Sequence, residues 1–160
     1  MDAIVAVYDD WGIGCDGDQP IALSADRKFF RAITQGAAVI VGRKTLQAFP
    51  GGAPLPKRRN IVLTRGQVQI PGAEVAHHVE QALEMTAGQE RVFVIGGGTI
   101  YRQMLPHCRQ VYVTKVHVCP NSDTWFEDLD ASDQWRMAEI LTSGEENGIR
   151  YEMCRYVRAE

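Results

Sequence analysis

"VIGGGTIY", residues 94–101, is the stretch on which the reading of the fold turns. A short apolar run ends at Ile95, three glycines follow, and Thr99, Ile100 and Tyr101 open a segment with helical spacing that Pro106 closes. A strand that passes through glycines directly into a helix is the connection of an α/β sheet, where crossover helices join parallel strands. Gly96, Gly97 and Gly98 carry no Cβ, so backbone N–H groups there can come close to a phosphate. A tight β–α turn with no ligand accounts for the same glycines equally well.

The same unit recurs on either side of this stretch. "AIVAVY" (3–8), "AAVIVG" (37–42), "NIVLT" (60–64) and "RVFVIGG" (91–97) read as buried strands. "SADRKFFRAIT" (24–34), "RKTLQAF" (43–49), "VEQALEMTA" (79–87) and "GTIYRQMLP" (98–106) carry helical spacing. Beyond Pro106 the pattern changes to alternation, in "RQVYVTKVHV" (109–118), "WRMAEILTS" (135–143) and "RYEMCRYVR" (150–158), and "GEENG" (144–148) suits a hairpin between the last two. The expectation is an α/β fold with a mostly parallel sheet and antiparallel edge strands. With no repeat, low-complexity tract or linker, residues 1–160 are expected to form a single domain.

Composition narrows the function classes. The chain is 45% hydrophobic and 23% charged, with 17 basic and 20 acidic residues and a net charge of −3. That balance argues against a nucleic-acid-binding protein, whose basic footprint would dominate. Cys15, Cys108, Cys119 and Cys154 form no C-x-x-C pair, so free thiols in a reducing compartment are expected. His77, His78, His107 and His117 lack metal-ligand spacing, read as surface or edge residues, and no metal is implied. The N-terminus has no signal-peptide pattern and no run approaches the roughly 18 apolar residues of a membrane span. A cytoplasmic protein without membrane or nucleic-acid partners is the expectation, and a monomer.

Two further strand ends resemble the glycine turn chemically. "VGRKT" (41–45) passes from a strand through Gly42 to Arg43, Lys44 and Thr45, and "LTR" (63–65) puts Thr64 and Arg65 after a third strand. Cations at the start of a helix oppose its dipole, so a bound anion explains them better than helix stability does. Ligands of α/β sheets bind outside the carboxyl ends of the strands, and all three motifs sit there. Together they point to an extended ligand with several phosphates, a dinucleotide. Gly12, Gly14 and Gly17 formally match G-x-G-x-x-G, but "DGDQP" follows and no helix can start before Ser24, so that match is read as coincidence.

"PIALSADRKFF" (20–30) raises a separate question. Ser24 is a good N-cap, Asp26 falls in the first turn, and Phe29 and Phe30 begin an apolar face. Asp26 can simply favour the positive end of the helix, worth about 0.3–1 kcal/mol. It can also be a carboxylate aimed into a ligand pocket.

Taken in order, "GIG", "VGRKT", "LP-x-RRNIVLTR", "VIGGG-x-IY", "VYVTKV" and "DTWF" resemble the dihydrofolate reductase family over nearly the whole chain. The resemblance implies a mixed eight-stranded sheet flanked by helices with a C-terminal antiparallel hairpin, and NADPH-dependent reduction of 7,8-dihydrofolate to tetrahydrofolate. It implies that Asp26 binds the pteridine 2-amino group and N3 and assists protonation of N5, with Thr114 orienting it. A desolvated carboxylate beside two phenylalanines suits that role, because burial raises its pKa. Ala6, Val7, Phe30 and Leu55 would surround the substrate, with Ile95 at the nicotinamide end. Arg58 would pair with the α-carboxylate of its glutamate tail, a task for a planar guanidinium; antifolates would occupy the same pocket.

For NADPH, the resemblance implies Arg43, Lys44 and Thr45 at phosphates and Gly96, Gly97 and Gly98 at the pyrophosphate. Thr64 and Arg65 would lie near the 2′-phosphate, Ile13 and Gly14 over the nicotinamide, and Ala6, Gly42, Leu63, Thr99, Ile100 and Tyr101 along the same cleft. Three positions depart from the pattern: Ile21 where a tryptophan is usual, Ser24 where a proline is usual, and Thr99 where some relatives carry a basic residue. Ile21 has no indole N–H to fix a water near the reacting pteridine, so a working but atypical enzyme is expected. Two other readings stay open, a riboflavin-pathway reductase of the same fold and a non-catalytic binder. The Arg58 clamp speaks against the first.

Overall fold

The computed structural model describes residues 1–15 and 18–160. In chain order the elements are β1 (Asp2–Val7), β2 (Gly12–Gly14), α1 (Ser24–Thr34), β3 (Ala38–Gly42), α2 (Arg43–Gln47), β4 (Arg59–Leu63) and β5 (Ala73–Ala76). There follow α3 (Val79–Thr86), β6 (Val92–Val94), α4 (Gly98–Met104), β7 (Gln110–Val116), β8 (Thr124–Trp125), β9 (Trp135–Glu146) and β10 (Ile149–Arg158). Eight strands form one mixed sheet in the order β5-β4-β3-β6-β1-β7-β10-β9, and β2 pairs with β8 in a separate ribbon. β5 through β7 are parallel neighbours, while β10 runs antiparallel to both β7 and β9.

The chain steps outward from β1 to β3, β4 and β5, then returns to lay β6 between β3 and β1. The return makes the carboxyl ends of β3, β6 and β1 neighbours, the place where a doubly wound sheet opens a ligand crevice. Side chains alternate across the sheet. Ala3, Val5 and Val7 of β1 join Ile40, Val94 and Val113 in a core covered by α3 and α4, through Ala82, Ile100, Tyr101 and Met104. Ile4 joins Val39, Val41, Val62, Phe93 and Ile95 on the other face, against Phe29, Phe30 and Ile33 of α1 and Leu46 of α2. Two apolar layers on one sheet explain why β3, flanked by β4 and β6, reads as an unbroken hydrophobic run.

Several boundaries differ from the sequence expectation, each for a physical reason. α1 has the expected span, but Ser24 is its first helical residue and Leu23, in extended backbone, is the N-cap with no side-chain cap of its own. The segment expected to be helical over 98–106 is α4 followed by a 3-10 turn, Leu105–His107, in which Pro106 cannot continue the α-helical ladder. β9 and β10 run further toward each other than "GEENG" suggested, leaving Asn147 and Gly148 as a two-residue turn. Both have positive φ, 52° and 80°, as a type I′ turn requires. β5, the β2–β8 ribbon and their pairings gave no periodic signal, because two to four residues are too few for alternation to show.

Candidate active site

The glycine turn after β6 and the turn after β3 are joined. Ile95 N–H donates to the Ile40 carbonyl at 3.0 Å and Gly42 N–H to the Gly96 carbonyl at 2.8 Å, carrying the parallel ladder past both strand ends. A Cβ on Gly97 would stand 2.9 Å from Thr45 Oγ1, and one on Gly98 2.5 Å from Thr124 Cγ2. Glycine is therefore required for the starts of α2 and α4 and the β8 ribbon to meet here. The Gly96–Gly97 peptide is cis. An open groove of about 300 Å³ leads away from the turn, lined by Gly98, Thr99, Arg102, Asp123, Thr124 and Trp125.

Arg43, Lys44 and Arg65 are exposed beside these turns. None of the three has an acidic partner among the described residues, whereas Arg59 pairs with Glu74 and Lys115 with Asp130. Unpaired cations gathered at glycine turns are the arrangement an anionic ligand needs. Thr64 lies at the end of β4, its hydroxyl accepting from Gly66 N–H at 3.3 Å.

Asp26 occupies the first turn of α1, part-buried against the sheet. Its carboxyl is raised above the ordinary aspartate value by desolvation, partly offset by a hydrogen bond from Thr114 and by the charge of Arg27. Thr114 is 1% exposed and stands opposite Ala6 in the β1–β7 register. β7 presents it to the α1 face, which it shares with Tyr112 two residues earlier, and Tyr112 packs on Phe29 at 6.4 Å between ring centroids. The aromatic layer that anchors α1 thus also sets where Asp26 meets the sheet.

Leu55 and Arg58 come from the loop before β4. Asn60, 2% exposed, organises that loop: its Oδ1 accepts from Leu55 N–H at 2.9 Å, and its Nδ2 donates to the carbonyls of Leu55 (2.9 Å) and Arg58 (3.0 Å). The Arg58 guanidinium lies 5.9 Å from the Phe30 ring centroid. Its Nε is buried with no hydrogen-bond partner among the described residues. Burial, and then the nearby Arg31, lower its pKa. A buried, unpaired guanidinium donor beside a second cation is a place made for a carboxylate.

The loop after β1 closes the other side. Asp123 N–H donates to the Gly14 carbonyl at 2.8 Å, and Asp10 accepts from Gly12 N–H (2.9 Å) and Trp125 Nε1 (3.3 Å). A Cβ on Gly12 would fall on Ser122, so the ribbon needs glycine there. Ile13 approaches to 4.0 Å of where a Gly98 Cβ would be, which brings this loop over the glycine turn. Gly17, the third glycine of the apparent dinucleotide motif, lies outside the described residues; Gly12 and Gly14 belong to a strand, not to the start of a helix.

The structure thus brings Ala6, Gly42, Thr45, Ile95, Gly96, Gly97 and Gly98 to one sheet edge, with Asp26, Phe30, Leu55 and Arg58 on the α1 side. Some expected residues sit differently. The Val7 side chain is buried in the opposite core, so it can offer the cleft only backbone. Leu63 and Ile100 are also core, Ile100 setting the close approach of Gly42. Tyr101 is buried and its hydroxyl donates to the Ile4 carbonyl at 2.7 Å, a brace beneath the glycine turn. Ile21 is held by its backbone: the Tyr8 hydroxyl donates to its carbonyl (2.7 Å) and accepts from its N–H (3.0 Å).

Three residues escaped the sequence reading. Arg102 reaches back one helical turn to Thr99, at 3.4 Å, and places in the groove the cation that Thr99 lacks; the i, i+3 spacing was its only signal. Asn60 had none. His77 is half-buried with Nδ1 3.2 Å from the Thr64 carbonyl, nearer the cleft than an ordinary surface residue. Among the described residues no disulfide links the cysteines, and no cluster of His, Cys, Asp or Glu could hold a metal ion. No helix is long and apolar enough to cross a membrane.

A family model for dihydrofolate reductase matches residues 1–158. The dihydrofolate reductase of Staphylococcus haemolyticus is 38% identical over 154 residues, covering 96% of this chain and 88% of that protein. That of Bacillus subtilis is 36% identical over 147 residues, covering 90% and 86%. The structure of Enterococcus faecalis dihydrofolate reductase complexed with NADP(H) and RAB-propyl superposes with a TM-score of 0.89, at 31% identity, over 99% of this chain and 96% of that one. Fold and cleft therefore define an NADP-dependent oxidoreductase. The chain belongs to the dihydrofolate reductase family.

Proposed function

We propose that the cleft reduces 7,8-dihydrofolate to 5,6,7,8-tetrahydrofolate, supplying one-carbon metabolism, and that Asp26 assists protonation of N5. The observation that carries this reading is the desolvated Asp26 carboxyl, hydrogen-bonded by Thr114, on the α1 face of the sheet edge where the glycine turns converge. The site fits the dinucleotide: side chains at Gly97 and Gly98 would fill the cradle, and Arg43, Lys44 and Arg65 offer free positive charge. NADPH, when bound, supplies the hydride.

This chain's residues do the rest. Arg43, Lys44 and Thr45 hold phosphates, Thr64 and Arg65 the 2′-phosphate, and Ile13 and Gly14 cover the nicotinamide. Phe30, Ala6 and Ile95 bound the pteridine, whose 2-amino group and N3 face Asp26, while Arg58 takes the tail carboxylate. Excluding water from Asp26 raises its carboxyl above the ordinary aspartate value and so favours the protonated form that assists the proton reaching N5. We infer a single-domain, cytoplasmic monomer.

The test is NADPH oxidation on adding dihydrofolate. Turnover is the expected result, and tight NADPH binding without turnover would move the reading to another substrate or to a silent binder. A second measurement concerns Ile21. If the missing indole leaves a bridging water unheld, at about 1–2 kcal/mol in the transition state, Ile21→Trp should raise the hydride-transfer rate several-fold, toward the roughly tenfold that energy allows. An unchanged rate would remove the water argument.

A further inference from the structure

We propose that Glu146, at the tip of the β9–β10 hairpin, is a positioning residue for Asp26. The inference rests on the proton role just assigned to Asp26 and adds a residue 120 positions away. α1 starts without a side-chain cap of its own, yet its first donors are satisfied. Glu146 Oε2 accepts from Ser24 N–H at 2.8 Å, and Oε1 accepts from the Ser24 hydroxyl at 2.7 Å and from Ala25 N–H at 3.0 Å. The carboxylate does from a distant hairpin what an N-cap side chain does locally, closing unpaired N–H groups at the helix's positive end.

These bonds end at Ala25, the residue before Asp26. A helical turn is stiff, so holding Ser24 and Ala25 sets where the Asp26 carboxyl stands against Thr114. The departure at Ser24 makes the arrangement available: both its N–H and its hydroxyl are used, and a proline there would have neither. The hairpin's other contacts point the same way. Ile149 and Tyr151 of β10 pack on Tyr8, Leu23 and Val116, and Ile21 joins that cluster, its backbone on the Tyr8 hydroxyl. The chain leading into α1 is thus held at residue 21 from β1 and at residues 24 and 25 from the hairpin.

The charged surroundings are few. Asp26 faces Thr114 from β7 and Arg27 on its own helix, and its charge is felt by Tyr8 and Tyr101. Glu146 faces Ser24, Ala25 and Arg27, and its hydrogen bonds hold its carboxyl below the ordinary glutamate value, ionised at neutral pH. If the clasp is lost, the first turn loosens and water reaches Asp26. Its pKa then falls, and the proton-dependent limb of the rate profile moves to lower pH.

The test compares wild type, Glu146→Ala, Glu146→Gln and Asp26→Asn for hydride-transfer rate against pH, KM, NADPH affinity and melting temperature. Glu146→Ala should lower the rate at neutral pH by about tenfold and shift the profile to lower pH, with NADPH affinity unchanged. Glu146→Gln keeps an acceptor for the Ser24 hydroxyl and Ala25 N–H but turns an NH2 donor on Ser24 N–H, and should restore rate and profile in part. A fall in melting temperature alone, with rate and profile intact in both variants, would overturn the inference; so would a glutamine variant as impaired as the alanine one. If Asp26→Asn collapses at neutral pH while Glu146→Ala does not, only the inference fails. Full activity of Asp26→Asn would remove the reading beneath it.

Discussion

Asp26→Asn is expected to lower the hydride-transfer rate at neutral pH by about 10²- to 10⁴-fold, the range a positioned acid or base contributes, and to recover part of it in acid. Asparagine keeps the shape but cannot take up or release the proton, so only substrate already protonated in solution can react, and acid supplies more of it. In the wild type, desolvation raises the Asp26 pKa, so the rate falls as pH climbs through that raised value. A variant whose rate at neutral pH matched wild type would end the proton assignment.

The same substitution has a stability signature of opposite sign. A carboxyl whose folded-state pKa is raised favours folding when protonated. Its contribution is fully present below the unfolded pKa and is lost as pH rises through the folded value. Ligand-free wild type should therefore lose stability across that window, and Asp26→Asn should not. Thermal unfolding from acid to neutral pH checks this. A variant that is more stable at neutral pH yet slower would show that the lost rate is not lost structure, and one that simply unfolds would not support the assignment.

The second large effect is expected at Arg58. Arg58→Leu should raise KM for dihydrofolate by about 100-fold with kcat little changed, since losing a bidentate, charge-assisted contact costs about 3 kcal/mol. The basis is its buried Nε, without a hydrogen-bond partner among the described residues, and its seat over Phe30 in a loop pinned by Asn60. The control is a pteridine substrate without the glutamate tail, on which wild type and variant should behave alike. If the variant loses as much on that substrate, Arg58 supports the pocket rather than the tail carboxylate.

How much of this was legible beforehand depended on whether the signal was local. Helix α1 kept its expected span because Phe29, Phe30 and Ile33 recur at helical spacing and one sheet face receives them all. "VGRKT" and "VIGGG" announced two β–α turns, since a strand ending in glycine followed by helical spacing is complete within eight residues. Asp26 could be named a candidate, though by spacing alone it remained a helix-end acid, and the resemblance across the chain singled it out.

What the sequence by itself determined, then, was every strand and helix of the main sheet except β5, the chemistry at three strand ends and, through the order of its motifs, the family. Local periodicity and turn residues encode those directly. Only the tertiary structure decided that β6 lies between β3 and β1, so that Gly42 and Gly96 share a hydrogen bond. It alone showed that Val7 faces away from the cleft, that Asn60 pins Arg58, and that Glu146 rather than Ser24 caps α1. Each depends on residues brought together from distant parts of the chain, and a hydrogen bond across such a separation leaves no pattern in either segment on its own.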